Sequence, residues 1–434
     1  MSISYVKDRT IMAFISHASV FLNYNDEIII TDPWYISSAF QSWWPSPPCA
    51  YNIDMILGLI QSGKASIIIS HAHPDHIDKD FIKLLPKNTK IYIPKYKDSH
   101  FADLLNSLGM NNVIEIGLKE LNIGSFKLNS YAHYDSDYDA AISIETPDMF
   151  VLHGNDSWVL KKEASLKLKN IIENNNKFSL LMGQGSSASG YPLTYYKLKD
   201  SEMNTLLENK NIKMIRSLSQ IASDCGFDKI LAYACFASIN IVKKNYRNRA
   251  PISTADYCNK VSNSSKFIDL SPGDIFISDK KGGIVVPLTR SLHLNQNIFY
   301  KSNNVYKWPD ELEFNVEECL EKAEKFCSDF DDYLINKQKV DNLNKEEIGI
   351  EFKFEILDEN ENIIKIINYK YFNNIANRTK ICRVRASILN EVLIGKVPFE
   401  DLSIGYLAEW DRKPLSRYNR LFMTYLKSFW YDHY

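Results

Sequence analysis

One short segment concentrates the side chains that could do chemistry: His71-Ala72-His73-Pro74-Asp75-His76. Three imidazoles and a carboxylate directly after an apolar run are unfavourable together unless a cation compensates them. The alternate residues His71 and His73 can point at one metal, and Asp75 and His76 can reach a second metal or hold a water. Neutral imidazole and carboxylate suit zinc, iron or manganese. The segment therefore predicts a site for one or two transition-metal ions, Fe or Zn, with Mn as a third candidate.

Two later residues fit as completing ligands. His133 and Asp156 each follow an apolar, strand-like run, and a carboxylate at 156 could bridge two metals. Asp139 is the best alternative to His133 in the same acidic loop. His153 favours a packed or hydrogen-bonding role beside the ligands rather than ligation. The predicted metal set is thus His71, His73, Asp75, His76, His133 and Asp156.

Some residues could act on the substrate, whether or not they also hold the metal. Asp75 is a candidate base, and His17, before Asp32 in the sequence, is either an active-site group or a buried, satisfied histidine. Asp32 could hydrogen-bond a ligand imidazole.

An aromatic and a glycine-rich segment are candidate substrate contacts. Trp34 and Trp43 would wall the substrate entrance, or simply pack in a proline-rich loop. Ser189 and Gly190 end a glycine-rich stretch whose backbone N–H groups could bind a phosphate, or which is a plain connection.

The elements that must position these residues alternate between strands and helices. This alternation suits two sheets sandwiched between helices, an αββα layering. Beyond about residue 265 the chain is highly charged and almost free of metal-type residues, so we expect a metal-binding domain at 1–265 and a C-terminal α+β accessory domain at 266–434. The main predicted elements are strands at 12–22, 28–30 and 65–70, helices at 53–61, 161–175, 201–225, 311–344, 385–394 and 418–430, and a strand pair over 351–366.

Composition narrows the class of protein. The chain has 434 residues and a net charge of −2, which argues against nucleic-acid binding as the main function but leaves room for a local patch that suits an anionic small substrate. Its seven cysteines are scattered without CxxC spacing, as in a cytosolic protein with reduced thiols. We find no signal peptide and no apolar run long enough to span a membrane, so the cytoplasm is the expected location.

The HxHxDH segment followed by a distant His and Asp resembles the metallo-β-lactamase superfamily, which implies the αββα fold and a metal site. The stretches Ile15-Ser16-His17-Ala18-Ser19-Val20 and Thr31-Asp32-Pro33-Trp34 look like its ascorbate-phosphate lactonase and N-acyl-phosphatidylethanolamine phospholipase D branch.

The match extends to the CMP-N-acetylneuraminate hydroxylases. Asp32-Pro33-Trp34, Trp43-Trp44, Ala188-Ser189-Gly190-Tyr191-Pro192 and Leu402-Ser403-Ile404-Gly405-Tyr406 are similar to that family. The resemblance implies an iron oxygenase-like reaction on a sugar nucleotide or a related anionic metabolite.

Two departures from the hydroxylase pattern stand out. The sequence has no paired Cys and His ligands for a Rieske cluster, so a separate electron-transfer protein is the expected partner. The last histidine of the superfamily is replaced by Ala232-Tyr233-Ala234-Cys235-Phe236-Ala237. The second metal position is then weakened, completed by Cys235, or lost.

The sequence is compatible with three functions. The first is the iron oxygenase. The second is a Zn- or Mn-dependent hydrolase of a phosphoester, lactone or amide, in which a metal-bound water attacks. The third is a binding module without catalysis, which the missing last histidine motivates.

Overall fold

The computed structural model describes residues 7–117, 119–132, 139–157, 162–186, 189–239, 254–279, 282–287, 313–341, 348–372, 378–416 and 418–434. The predicted ligand His133 lies outside these ranges. No helix within them combines the length and apolar content that a membrane crossing requires.

The first sheet has eight strands: β1 (Ile11–Ser16), β2 (Ser19–Tyr24), β3 (Glu27–Thr31), β5 (Ala65–Ile68), β6 (Ile91–Pro94), β7 (Val113–Ile116), β15 (Ile275–Asp279) and β16 (Gly282–Val286). Their order is β16-β15-β1-β2-β3-β5-β6-β7. The strands from β3 to β7 in this order are parallel to one another, and the rest pair antiparallel. Parallel strands that follow one another bring their carboxyl ends to one edge of the sheet.

The second sheet has six strands: β8 (Leu121–Ile123), β9 (Phe126–Ala132), β10 (Ala140–Glu145), β11 (Met149–His153), β12 (Phe178–Gln184) and β13 (Lys229–Tyr233). Their order is β13-β12-β11-β10-β9-β8. A separate short antiparallel pair joins β4 (Trp43–Pro45) to β14 (Ala237–Ile239).

The apolar core lies in three layers, which explains why the central strands are apolar on both faces. Ile29 and Ile68 point into the cluster between the sheets, whereas Ile28, Ile30 and Ile67 point outward. The outward cluster is covered by α1 (Ile53–Gln61), α2 (Lys79–Lys83) and α3 (His100–Ser107). The outer face of the second sheet is covered by α4 (Lys162–Asn174), α5 (Asp200–Cys225) and α6 (Ala255–Ser262). The predicted αββα layering is confirmed.

The predicted strand over 12–22 is instead two antiparallel strands, β1 and β2, joined by a tight turn at His17 and Ala18. Thr31 stabilises this turn: its hydroxyl donates to the Ala18 carbonyl at 3.0 Å and accepts from the Val20 amide at 2.9 Å. Hydrophobic spacing alone did not reveal it, since both strands are buried throughout most of their length.

The C-terminal part forms its own sheet. Its strands are β17 (Ile350–Leu357), β18 (Ile363–Tyr371), β19 (Thr379–Arg385) and β20 (Glu409–Lys413), in the order β18-β17-β19-β20. The main helices are α7 (Val316–Val340), α8 (Ala386–Leu393), α9 (Asp401–Ile404) and α10 (Arg420–His433). The predicted strand pair over 351–366 is the β17–β18 hairpin.

The boundary at residue 265 stays a prediction. The structure places β15 and β16, which lie beyond it, in the first sheet through the pairing of β15 with β1.

A junction joins the C-terminal part to the loop after β3. The Ser42 hydroxyl donates to the Gly405 carbonyl at 2.5 Å, and the Trp43 indole N–H donates to the Ile404 carbonyl at 2.8 Å. Gly405 lies so close to the loop that a Cβ on it would stand 2.3 Å from the Phe40 carbonyl oxygen. Only glycine fits this approach of two backbones.

We therefore expect Gly405→Ala to lower the free energy of unfolding by about 1–3 kcal/mol, because the added methyl forces the two backbones apart. Urea unfolding measures the change. Gly58→Ala is the matched control: Gly58 is exposed inside α1 with nothing within 4 Å of an added Cβ, so this change should stabilise by roughly 0.5–1 kcal/mol. Equal behaviour of the two variants would contradict the close contact.

Candidate metal centre

The candidate metal ligands gather at one end of the sandwich. Ser70 to His76 follow β5, Asp32 follows β3 and Asp156 follows β11, while Asp139 directly precedes β10. The parallel register of β3 and β5 places Thr31 opposite Ile68, so the segments leaving both strands meet.

Two imidazoles and two carboxylates form the more open half of the centre. His71 Nε2 lies 2.8 Å from His73 Nδ1. Asp156 Oδ2 is 3.8 Å from the first of these nitrogens and 3.9 Å from the second. Asp139 Oδ1 lies 4.0 Å from His71 Nε2. The atoms face one another across a space of the size that one ion would fill.

The second half is deeper. His76 Nε2 is 3.7 Å from Asp156 Oδ1 and 3.9 Å from Asp75 Oδ2. His17 Nε2 approaches the same Asp75 oxygen at 3.4 Å. Asp156 thus turns one oxygen toward each half, the position of a bridging carboxylate.

Buried polar atoms without a hydrogen-bond partner indicate that these residues fit a cation. His76 Nε2, Asp75 Oδ1 and His17 Nδ1 are buried without a hydrogen-bond partner, whereas buried polar groups are normally paired. Donor atoms within 4.8 Å of one another define three groups, and all three fit a transition metal. The groups are His17, Asp75 and His76; His71, His73 and Asp139; and His71, His76 and Asp156.

Access to the centre is from one side. The side chains of His73, Asp156 and Asp139 are 33%, 24% and 20% exposed, whereas those of His17 and Asp75 are 2% and 4% exposed. A ligand from solvent would meet the open half first.

Charge in the centre favours the ligand forms of several side chains. Burial and the neighbouring imidazoles lower the pKa of His71 to about 4, so its ring is neutral. Burial would raise the pKa of Asp156, but the neighbouring imidazoles hold it well below its ordinary value. Burial would lower the pKa of His76, yet the charges of Asp75 and Asp32 raise it well above the ordinary value. In this negative surrounding a metal cation can replace the His76 proton.

Asp32 is hydrogen-bonded to His76 of the deep half on the side of the ring away from the centre. Its carboxylate accepts from the Ser70 amide and hydroxyl, each at 2.7 Å, and lies 2.7 Å from His76 Nδ1 and 2.9 Å from His153 Nε2. Burial would raise the pKa of Asp32, but the two imidazoles lower it strongly. The contact fixes the His76 ring with Nε2 directed at the centre, as predicted for a carboxylate behind a ligand imidazole.

His153 does not offer a free nitrogen to a metal. Its Nε2 faces Asp32, and its Nδ1 lies 2.5 Å from the Tyr233 hydroxyl. The predicted supporting role for His153 agrees with this geometry, and Tyr233, which fixes the ring, was not anticipated from the sequence.

Backbone strain clusters at the same place. His17, Asp32 and Asn155 have φ values of 34°, 36° and 40°, in a region that non-glycine residues rarely adopt. Such strain persists where the surrounding structure enforces it, and it is typical of functional sites.

The place of the missing last histidine lies next to His17. The Ala234 amide, in the segment after β13, donates to the His17 carbonyl at 2.9 Å. Among the described residues that could hold a metal, Cys235 joins none of the three groups. His17, predicted as a catalytic residue, is therefore the side chain that completes the group with Asp75 and His76.

The structure also places the predicted substrate contacts, whose role stays a prediction. Trp34 is fully buried, with its ring 5.1 Å from that of His17, and Trp43 packs against Tyr406. Ser189 and Gly190 lie against the C-terminal part: the Ser189 carbonyl accepts from the Tyr406 hydroxyl, and a Cβ on Gly190 would meet the Ser403 carbonyl.

Buried Phe40 lies beside the centre, with its ring centroid 6.3 Å from that of His73. Glu400, far away in the sequence, is near enough for its charge to act on His73. No local sequence signal marks Glu400, because only the junction between the two parts of the chain brings it there.

We expect Asp32→Asn to weaken metal binding by about 10–100-fold, the usual cost of losing a carboxylate behind a ligand imidazole. Competition with a chromophoric chelator measures the affinity. Asp26→Asn, at an exposed turn position, should bind metal as the unchanged chain does. An unaltered affinity in Asp32→Asn would show that Asp32 does not orient His76.

We expect His17→Ala to lose about one metal per chain while the half with His71 and His73 stays loaded. Without His17, the deep half keeps only Asp75 and His76 as ligands of its own. Mass spectrometry of metals in the purified variant gives the stoichiometry. His100→Ala, with a side chain that is 84% exposed, is the matched control. Unchanged stoichiometry would remove His17 from the ligand set.

The chain is similar to known proteins in sequence and in fold. No family model matches the chain. It is 24% identical over 232 residues to the cytidine monophosphate-N-acetylneuraminic acid hydroxylase of Xenopus laevis, covering 49% of this chain and 36% of that protein. The chain spans about a third of the length of the curated relatives it matches.

Three solved structures similar to this chain are described as a hydrolase, a fold-family protein and a hydroxylase. A possible metal-dependent hydrolase from Veillonella parvula has a TM-score of 0.41 at 15% identity, covering 61% of this chain and 98% of its own. The metallo-β-lactamase-fold protein YhfI from Bacillus subtilis has a TM-score of 0.38 at 12% identity, covering 62% and 100%. CmlA, a diiron β-hydroxylase from Streptomyces venezuelae, has a TM-score of 0.34 at 14% identity, covering 53% and 45%. The predicted resemblance is confirmed: the sequence is weakly similar to the hydroxylases, and YhfI is described as a metallo-β-lactamase-fold protein.

Proposed function

We propose that this chain is a metal-dependent enzyme whose centre binds iron and oxidises a small anionic metabolite, of the sugar-nucleotide class, with molecular oxygen. One observation carries the proposal: each of the three donor groups consists of two imidazoles and one carboxylate. That composition, with further coordination positions open, is typical of non-haem iron oxygenases.

The residues divide the work between holding the metal and receiving the substrate. His71 and His73 with Asp139 would hold one iron, His17, Asp75 and His76 the other, and Asp156 would join them. Iron bound there would supply redox chemistry and open coordination positions for oxygen. The exposed edge formed by His73, Asp139 and Asp156 is the side from which a substrate can approach.

The deep half keeps water out. Trp34 is fully buried against His17, and Asp75 and His76 are buried as well. Exclusion of water limits side reactions of reactive species and strengthens electrostatic contacts within the centre.

We propose that electrons come from a separate electron-transfer protein. The metal-capable groups among the described residues contain histidine and aspartate but no cysteine, so none of them has the thiolates that an iron–sulfur cluster needs. The sequence similarity to the hydroxylase of Xenopus laevis supports the oxidative reaction. Location in the cytoplasm remains a prediction.

A hydrolase is the second candidate, and the contact between His17 and Asp75 favours it. Asp75 has one oxygen 3.4 Å from His17 Nε2 and the other unpartnered. A carboxylate held in this way can orient a metal-bound water and take its proton.

The deciding experiment compares two metals on one protein. Protein purified without oxygen is loaded with iron(II) or zinc(II), and its metal content is measured. Oxygen uptake is then followed with a chemical reductant and CMP-N-acetylneuraminate, and hydrolysis is followed with phosphodiester and lactone substrates. We expect about two irons per chain and oxygen uptake that depends on the sugar nucleotide.

His71→Ala is the matched inactive variant and His100→Ala the active control. We expect the first to lower oxygen uptake by about 10²-fold or more, because a ligand shared by two donor groups is lost. Turnover with zinc and none with iron would replace the oxygenase by the hydrolase. A chain that binds no metal under either condition would leave only a binding module.

A further inference from the structure

A cluster of three cations lies where the C-terminal sheet meets the segment after β12. Lys380 on β19 stands directly opposite Arg412 on β20 in the antiparallel register. Tyr191 joins the third cation to them: its carbonyl accepts from Lys210 Nζ at 3.4 Å, and its ring lies 4.3 Å from the Arg412 guanidinium. Like charges that face each other across two strands are destabilising on their own.

The side chains around these cations are aromatic. Lys380 Nζ lies 4.5 Å from the centre of the Trp410 ring and 5.1 Å from that of Tyr418. Arg412 also lies over Tyr195, whose hydroxyl accepts from the guanidinium at 3.4 Å. Ring faces attract cations, but these contacts stabilise an ammonium group by less than its burial costs.

Carboxylates that could neutralise the cluster are absent from the described part of the chain. No acidic side chain there pairs with Lys210, Lys380 or Arg412, whereas the neighbouring Lys197 pairs with Asp411 at 2.8 Å. Lys380 is only 5% exposed. Its ammonium group contacts ring faces and no described hydrogen-bond acceptor.

Burial affects the two lysines in the same way. Burial and the charge of Arg412 lower the pKa of Lys380 to about 7 and that of Lys210 to about 8. Both shifts have the direction expected of buried cations without a paired carboxylate, and an anion bound among them would favour the charged forms.

We propose that Lys380, Arg412 and Lys210 form a binding site for the phosphate group of a small molecule. Arg412 Nε donates to the Leu415 carbonyl at 2.7 Å and one terminal nitrogen donates to Tyr195. The remaining guanidinium N–H groups would bind phosphate oxygens, and the lysines would add point charges beside them. The burial of Lys380 restricts the ligand to a small group, and the half-buried Arg412 and exposed Tyr418 mark its entrance.

Calorimetric titration of the whole protein with inorganic phosphate and with pyrophosphate, at fixed ionic strength, tests the site. We expect both anions to bind, and Lys380→Met and Arg412→Gln each to weaken binding by about tenfold or more, because each removes a charge-assisted contact. Lys197→Met is the matched control: Lys197 also lies over a tyrosine ring but is already paired with Asp411, and its loss should leave the affinity unchanged.

The variant His73→Ala separates this site from the metal centre, which could also bind phosphate. If His73→Ala abolishes binding while Lys380→Met and Arg412→Gln leave it intact, the anion sits at the metal and the proposal is wrong. The proposal is also wrong if neither phosphate nor pyrophosphate binds to the unchanged protein. Should Lys380→Met fail to fold, Arg412→Gln decides alone, since Arg412 is only half-buried.

Discussion

The geometry of the metal centre depends on the hydrogen bonds of the buried Asp32 carboxylate. Asp32 itself follows β3, and its carboxylate is hydrogen-bonded to Ser70 after β5 and to His153 at the end of β11. It therefore links the ends of three strands. It also orients His76. A buried carboxylate is costly unless its oxygens are fully hydrogen-bonded, and here four donors surround them. The two sheets therefore meet at a polar group, and the metal ligands take their positions from it.

Strain and electrostatics at this end of the fold are consistent with each other. His17 and Asp32 both have a left-handed backbone, and their side chains contact Asp75 and His76. Glycine is the residue usually found in such conformations. Here the side chains are needed, since His17 approaches Asp75 and Asp32 fixes His76.

Local pattern predicted much of the fold. The helices at 53–61, 201–225 and 418–430 and the hairpin over 351–366 match closely, because period and turn residues act over a few positions. The turn at His17 was missed, since it depends on Thr31 of a neighbouring strand. His71, His73, Asp75, His76 and Asp156 were predicted as a set because four of them are sequence neighbours. The inclusion of His17 with Asp75 and His76 required the structure, as did the approach of Glu400.

The junction at Gly405 has a consequence for how this protein could diversify. The loop that carries Phe40 toward His73 is bonded through Ser42 and Trp43 to carbonyl oxygens of residues 404 and 405. Recognition of different substrates by exchanging the C-terminal part would therefore also reshape the wall of the metal centre. The two parts of the chain are expected to evolve together, as one inherited unit, rather than to be shuffled between proteins.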